Sequence, residues 1–121
     1  MIKLADTRLL RTSAYVNGTW MAAQSGKTLE VRNPANADLL GNVPDCGGAE
    51  TRTAIEAAEA AVPAWRARTA SDRAALRRRL HALILANQED LATLMTAEQG
   101  KPLAEARGEI AYAAAFVEWF A

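Results

Sequence analysis

From Leu103 onward the sequence is apolar on two adjacent faces of one helix. Ile110, Ala113, Val117 and Phe120 recur at helical spacing and form one face, and Tyr112, Phe116 and Trp119 form the other. A helix apolar over so wide an arc is normally buried on more than one side. The segment therefore has to sit between two layers. The pattern runs to Ala121 with neither a capping glycine nor a polar tail. We therefore expect one of those layers to be missing from the chain, leaving a marginal, association-prone protein.

The remaining composition limits how that demand can be met. A chain of 121 residues is one domain or part of one, and at this size the burial fraction is modest. Half the residues are hydrophobic, but many are alanine, and the aromatics are three Trp, two Tyr and two Phe. Small apolar residues favour closely packed helices over a core of large side chains. Acidic and basic residues balance at 14 each, so no global field favours nucleic acid or an anionic membrane. The N-terminus has no apolar run of the signal-peptide kind, and no apolar stretch approaches membrane-spanning length. The single cysteine, Cys46, rules out an internal disulfide and suits a reducing, cytoplasmic setting.

Along the chain, residues 1–13 read as a loosely held arm. Tyr15-Val16-Asn17-Gly18-Thr19-Trp20 is a hairpin signal, because Asn-Gly supplies the two positive-φ positions of a type I′ turn. Thr28–Val31 and Leu39–Val43 read as a second pair of short strands across the turn-forming Asn33-Pro34-Ala35-Asn36-Ala37-Asp38. Three helices are expected after Gly47-Gly48. Ile55, Ala58, Val62 and Trp65 stripe the first, and Pro63 should kink it or end its regular part near Ala61. The second starts at Thr69-Ala70-Ser71-Asp72, a capping box with Asp in place of Glu. Its stripe is Leu76, Leu80, Leu83, Ile84, Leu91, Leu94 and Met95, and Gly100 followed by Pro102 ends it. The third is the doubly apolar helix from Leu103.

The residues offer no assembled active site. Cys46 would need a base to act as a nucleophile, and the only histidine, His81, falls on the polar flank of the long helix. Neither has a second ligand at metal spacing. Arg66, Arg68, Arg73, Arg77, Arg78 and Arg79 form a basic cluster without aromatic interleaving, which reads as a solvated or interface face more readily than as a nucleic-acid site. Gly41, Gly47 and Gly48 spell no phosphate loop. Glu105 and Glu109 lie one turn apart and could pair, with Glu118 further along, but solvation on the helix surface is the simpler reading. Catalytic, cofactor-binding and metal residues are therefore all expected to be absent.

The ordered landmarks add what the chemistry does not. Tyr15-Val16-Asn17-Gly18-Thr19-Trp20 is followed by Val31-Arg32-Asn33-Pro34-Ala35, then by Ala54-Ile55-Glu56-Ala57-Ala58 and Pro63-Ala64-Trp65-Arg66. Leu94-Met95-Thr96-Ala97-Glu98-Gln99-Gly100-Lys101-Pro102 comes last. This series resembles the N-terminal quarter of the aldehyde dehydrogenase superfamily. The last stretch, together with residues 103–110 and 116–121, is most similar to bacterial succinate-semialdehyde dehydrogenases, usually NADP-dependent. The resemblance implies an α/β protein in which residues 14–121 are an incomplete opening part of a nucleotide-binding domain. It also implies NAD(P)-linked oxidation of an aldehyde through a cysteine thiohemiacetal, released as the acid by water that a glutamate activates. The family's cysteine, glutamate and cofactor motifs lie beyond Ala121, so the chain by itself should bind no NADP or NAD and be inactive. In some members a monovalent cation sits at the position of Val31 and Arg32, but the remainder of that site is not identifiable here. The expected partner is the rest of a dehydrogenase domain or a second copy, met through Tyr112, Phe116 and Trp119. Alternative readings are a fragment that docks on a full-length dehydrogenase and, more weakly, a basic-helix nucleic-acid binder.

Overall fold

The computed structural model describes residues 2–121; Met1, the first residue of the predicted arm, lies outside them. A short 3-10 turn at Thr7–Leu9 precedes two antiparallel strand pairs, β1 (Ala14–Val16) with β2 (Thr19–Met21) and β3 (Thr28–Arg32) with β4 (Leu39–Pro44). Four helices follow: α1 (Gly48–Ala67), α2 (Ala70–Ala86), α3 (Gln88–Gln99) and α4 (Leu103–Trp119). Asn17 and Gly18 have φ of 50° and 78°, the two left-handed positions the hairpin needs. Tyr15 faces Trp20 across β1–β2 with ring centroids 4.9 Å apart, and the Arg11 guanidinium lies 4.8 Å from the Trp20 ring centroid.

The long second helix of the sequence reading is two helices, because Asn87 interrupts it. Asn87 sits at φ −110°, ψ 17°, outside the helical range. Its side-chain amide donates to the Leu83 carbonyl at 2.8 Å, competing with the backbone ladder. Its own carbonyl then accepts from the Leu91 N–H and starts α3. Pro63 does not end α1, which continues to Ala67. The carbonyl of Glu59, which Pro63 cannot bond, lies on an exposed stretch where water can satisfy it. The start of α2 is as read: Thr69 Oγ1 accepts from the Asp72 N–H at 3.1 Å. The Asp72 carboxylate returns to the Thr69 hydroxyl at 2.8 Å rather than to its backbone.

Packing is arranged around small residues. The buried apolar residues are Ala23, Ala74, Ala92, Ala106 and Ala114. Helix α4 packs on both α2 and α3, and alanines at those seams let the backbones approach closely. On α2 the covered stripe is Ala74, Arg77, His81 and Ile84; of the stripe read from sequence, Ile84 on α2 and Leu91, Leu94 and Met95 on α3 are partly covered, while Leu76, Leu80 and Leu83 face outward. The Arg77 stem is long enough to reach across to the end of α4, where its guanidinium donates to the Phe120 carbonyl, and His81 lies beside Glu118. A bidentate pair from Arg107 to Glu89, with bonds of 2.8 to 3.0 Å, ties the start of α4 to the start of α3.

Two carboxylates join the β section and the arm to the helices. Glu50, 7% exposed, accepts from the Gln24 N–H at 2.6 Å and the Gly47 N–H at 2.9 Å. Asp90, also buried, accepts from the N–H groups of Ala5 and Asp6 at 2.9 and 2.7 Å. Each lies in the first turn of its helix, where negative charge is favoured. The arm expected to be loose is thus tied at Ala5 and Asp6. The backbone N–H of Gln24, followed by those of Glu50 and Gly47, holds the Glu50 carboxyl below its ordinary value of 4.5.

Two predictions test these joints. Because folding lowers the Glu50 pKa, its contribution is present above pH 4.5 and lost as pH falls below it. Thermal melts between pH 7 and 3 should show an acid loss of stability that is smaller in Glu50→Gln. At the other joint, Gly100 has φ 73°, and a Cβ there would stand 2.9 Å from Pro34 Cγ. Gly26 has a similar φ of 68° but open space around it. Gly26→Ala should cost about 1 kcal/mol in urea unfolding from the backbone alone, and Gly100→Ala measurably more. Pro34→Ala should recover part of the difference.

Candidate functional site

The residues singled out as possible chemistry are dispersed by the fold. Cys46 is exposed between β4 and α1. His81 is not on a solvated flank. It sits mostly covered at the α2–α4 seam, with Nε2 3.8 Å from Glu118 Oε2. Glu109 pairs with Lys101 instead of Glu105, so the three α4 carboxylates do not converge. Among the described residues no three of His, Cys, Asp and Glu are grouped so as to hold a metal ion. No helix in them is long and apolar enough to cross a membrane.

The basic cluster is partly consumed by structure. Arg73 donates to the Arg68 carbonyl at 2.7 Å and so closes the α1–α2 turn. Arg77 donates to the Phe120 carbonyl at 2.8 Å and lies 5.6 Å from the Trp65 ring centroid. A cation at the last carbonyls of α4 favours the helix dipole. These roles could not be read from spacing, because the arginines' acceptors lie on other elements.

The fold does bring two of the sequence landmarks together. Asn33 caps its own loop, accepting from the Ala35 N–H through Oδ1 at 2.9 Å and from the Ala37 N–H through its carbonyl at 2.8 Å. That loop places Pro34 against Gly100, the left-handed C-cap of α3. Leu10, Asn33, Asp38, Thr96 and Leu103 help to line an open cleft of about 870 Å³ beside this contact. The Thr96 hydroxyl oxygen is buried and has no hydrogen-bond partner.

The other surface feature is the outer face of α4. Tyr112, Phe116, Trp119 and Phe120 are 68, 50, 83 and 64% exposed. With Ala115 they border a notch of about 350 Å³. Tyr112 and Phe116 stack edge to face with centroids 4.9 Å apart. Phe120 belongs to this bare face rather than with Ile110 and Val117, which are half-covered against the other helices. Ile55 and Val62 on α1 are likewise open. The total accessible surface is 8697 Å², against roughly 6,300 Å² for a compact monomer of this mass.

Residues 20–121 match the family model described as "Aldehyde dehydrogenase family". The chain belongs to the aldehyde dehydrogenase family. It is 59% identical over 120 residues to glutarate-semialdehyde dehydrogenase of Pseudomonas putida, which covers 99% of this chain and 25% of that protein. It is 57% identical over 120 residues to succinate-semialdehyde dehydrogenase (NADP(+)) GabD of Escherichia coli, again 99% and 25%. Among solved structures, the crystal structure of an E. coli NADP-dependent enzyme superposes with a TM-score of 0.95 at 56% identity, over 97% of this chain and 24% of that one. The chain thus spans about a quarter of the length of these aldehyde dehydrogenase relatives. Its strand pairs and four helices match the N-terminal region of that α/β fold.

The covered and bare faces of α4 should respond oppositely to substitution. Trp119→Ser should leave urea stability within about 0.5 kcal/mol, since it removes an exposed ring, and should lower self-association in sedimentation. Ala114→Leu, at a position with 0% exposure, should cost about 1 to 3 kcal/mol by overpacking the seam.

Proposed function

We propose that this chain is the opening quarter of a succinate-semialdehyde-type dehydrogenase. The enzyme as a whole would oxidise an aldehyde that carries a terminal carboxylate, with NADP as hydride acceptor. In balance, the aldehyde, NADP and water give the carboxylic acid, NADPH and one proton. The reading rests on one observation above others: high identity and close superposition run together over nearly the whole chain, on relatives that act on succinate and glutarate semialdehydes. In this reading residues 14–121 open the nucleotide-binding domain, and the protein works in the cytoplasm.

The chain alone contributes scaffold rather than chemistry. Cys46 is exposed between β4 and α1, and His81 lies at the α2–α4 seam beside Glu118. In this reading the 121-residue chain would be inactive by itself.

Mixing the purified chain with succinic or glutaric semialdehyde and NADP should give no rise in absorbance at the reduced-cofactor wavelength. A single polypeptide that joins this chain to the remaining three quarters of the E. coli relative should reduce NADP with succinic semialdehyde. Turnover by the 121-residue chain alone, or a soluble joined protein that oxidises neither semialdehyde, would overturn the reading.

A further inference from the structure

We propose that Asn17, at the tip of the β1–β2 hairpin, is a site of spontaneous covalent modification, in which its side-chain amide is lost as ammonia and the turn opens. The inference stands independently of the functional reading above.

The chemistry needs an asparagine and the backbone nitrogen that follows it. The Gly18 nitrogen attacks Cγ of Asn17. A new N–Cγ bond forms, the Cγ–Nδ2 bond breaks, and the Gly18 amide proton leaves with Nδ2 as ammonia. Water then adds to either carbonyl carbon of the five-membered imide. Breaking the new N–Cγ bond gives aspartate. Breaking the original peptide C–N bond gives isoaspartate, with the chain rerouted through Cγ. The only co-reactant is water, and asparagine is among the thermolabile residues.

Five asparagines compete, and the structure separates them. Asn33 precedes Pro34, which has no N–H to give up. The N–H after Asn36 belongs to Ala37 and donates to the Asn33 carbonyl at 2.8 Å. The Asn36 side chain is itself held twice by Asp38, at 2.9 and 3.0 Å. Asn42 lies inside β4, opposite Glu30, and precedes the β-branched Val43. Asn87 Nδ2 donates to the Leu83 carbonyl at 2.8 Å, and the next residue, Gln88, begins α3. Asn17 differs on each count. It is exposed, and it precedes a glycine with no side chain to shield the attacking nitrogen. Neither its side chain nor the Gly18 N–H has a hydrogen-bond partner among the described residues. Apart from its chain neighbours, only Tyr15 Oη, at 3.9 Å, comes within 4 Å of where a Cβ on Gly18 would stand.

The hairpin also supplies the motion that the attack needs. β1 and β2 have three residues each and form a sheet of two strands. Such a hairpin is marginally stable by itself, so its tip opens locally. The isoaspartate product does not fit the closed turn. A two-residue loop fixes the register, which here sets Tyr15 opposite Trp20 and Val16 opposite Thr19. Isoaspartate inserts Cβ into the backbone of that loop. The Tyr15–Trp20 contact and the Arg11 guanidinium above Trp20 then lose their alignment. Either product also takes the formal charge one unit below zero.

Incubation of the purified chain at mildly alkaline pH, followed by tryptic peptide mapping, tests the proposal. Residues 12–27 form one tryptic peptide, in which Asn17 is the only asparagine. That peptide should gain about one dalton, largely as the isoaspartate form. It should convert about tenfold or more faster than the peptides carrying the other asparagines, since glycine alone leaves the nitrogen unshielded. Asn17→Gln, which would have to close a six-membered ring, should convert far more slowly. The converted chain, resolved on anion exchange by its added negative charge, should lose the part of its near-UV circular dichroism that comes from Tyr15 and Trp20. Conversion of the 12–27 peptide only when the chain is unfolded in urea overturns the proposal, because the closed turn then protects Asn17. Equal conversion at Asn36, Asn42 or Asn87 overturns the selectivity. A converted chain with an unchanged near-UV spectrum overturns the opening of the turn.

Discussion

The helices of this protein meet through alanine, and most of its other properties depend on that. Ala74, Ala92, Ala106 and Ala114 bring α2, α3 and α4 close together. Close approach gives good van der Waals contact, but an alanine removes little apolar area from water. Burying a leucine or phenylalanine contributes about 1.5 to 3 kcal/mol, and in this chain those residues are mostly on the outside. The helix layer is therefore well fitted and short of hydrophobic stabilisation. That is the expected state of one layer of a larger α/β domain, whose second layer would cover the large side chains.

Polar joints do much of the positioning. Glu50 and Asp90 each use one buried carboxylate to hold two backbone N–H groups from the chain segments that precede the helices. Arg107 and Glu89 fix α4 on α3, and Arg77 holds the end of α4. Asp6 and Arg8 add a local pair, in which the Arg8 side chain draws the Asp6 carboxyl down to about 2. These bonds set geometry more than they supply stability, since exposed ion pairs contribute about 0 to 1 kcal/mol. The Asn33-capped loop places Pro34 against Gly100, the contact that links the β3–β4 loop to the α3–α4 joint.

Local chemistry was legible in the sequence, and tertiary choice was not. The Asn17-Gly18 turn, the Thr69 cap and the Gly100 stop each follow from one or two residues, and each appears as read. The break at Asn87 was missed because the leucine pattern continues across it, while a single side-chain bond to Leu83 decides the matter. Except for Ile84, the packed face of α2 was missed for a different reason. Hydrophobic periodicity assumes that the largest apolar side chains find partners within the chain, and here Leu76, Leu80 and Leu83 do not. His81 and Arg77 occupy the seam instead, His81 with Nε2 3.8 Å from Glu118 and Arg77 donating to the Phe120 carbonyl at the end of α4. The bare aromatic face was legible for the same physical reason, being too wide for one neighbour to cover. Phe120 and Ala113, read as part of the Ile110 face, are exposed as well.

The central claim is that the folded chain leaves much of its apolar surface in water. Calorimetry of the isolated 121-residue protein tests it most directly, because the heat-capacity change on unfolding reports newly exposed apolar area. A fully packed domain of this length should give about 1.5 to 1.8 kcal/mol/K. The expected value here is well below that range, and the value per residue should rise toward about 12–15 cal/mol/K when the rest of a dehydrogenase is joined to the chain. A value within the range for the isolated monomer would contradict the claim.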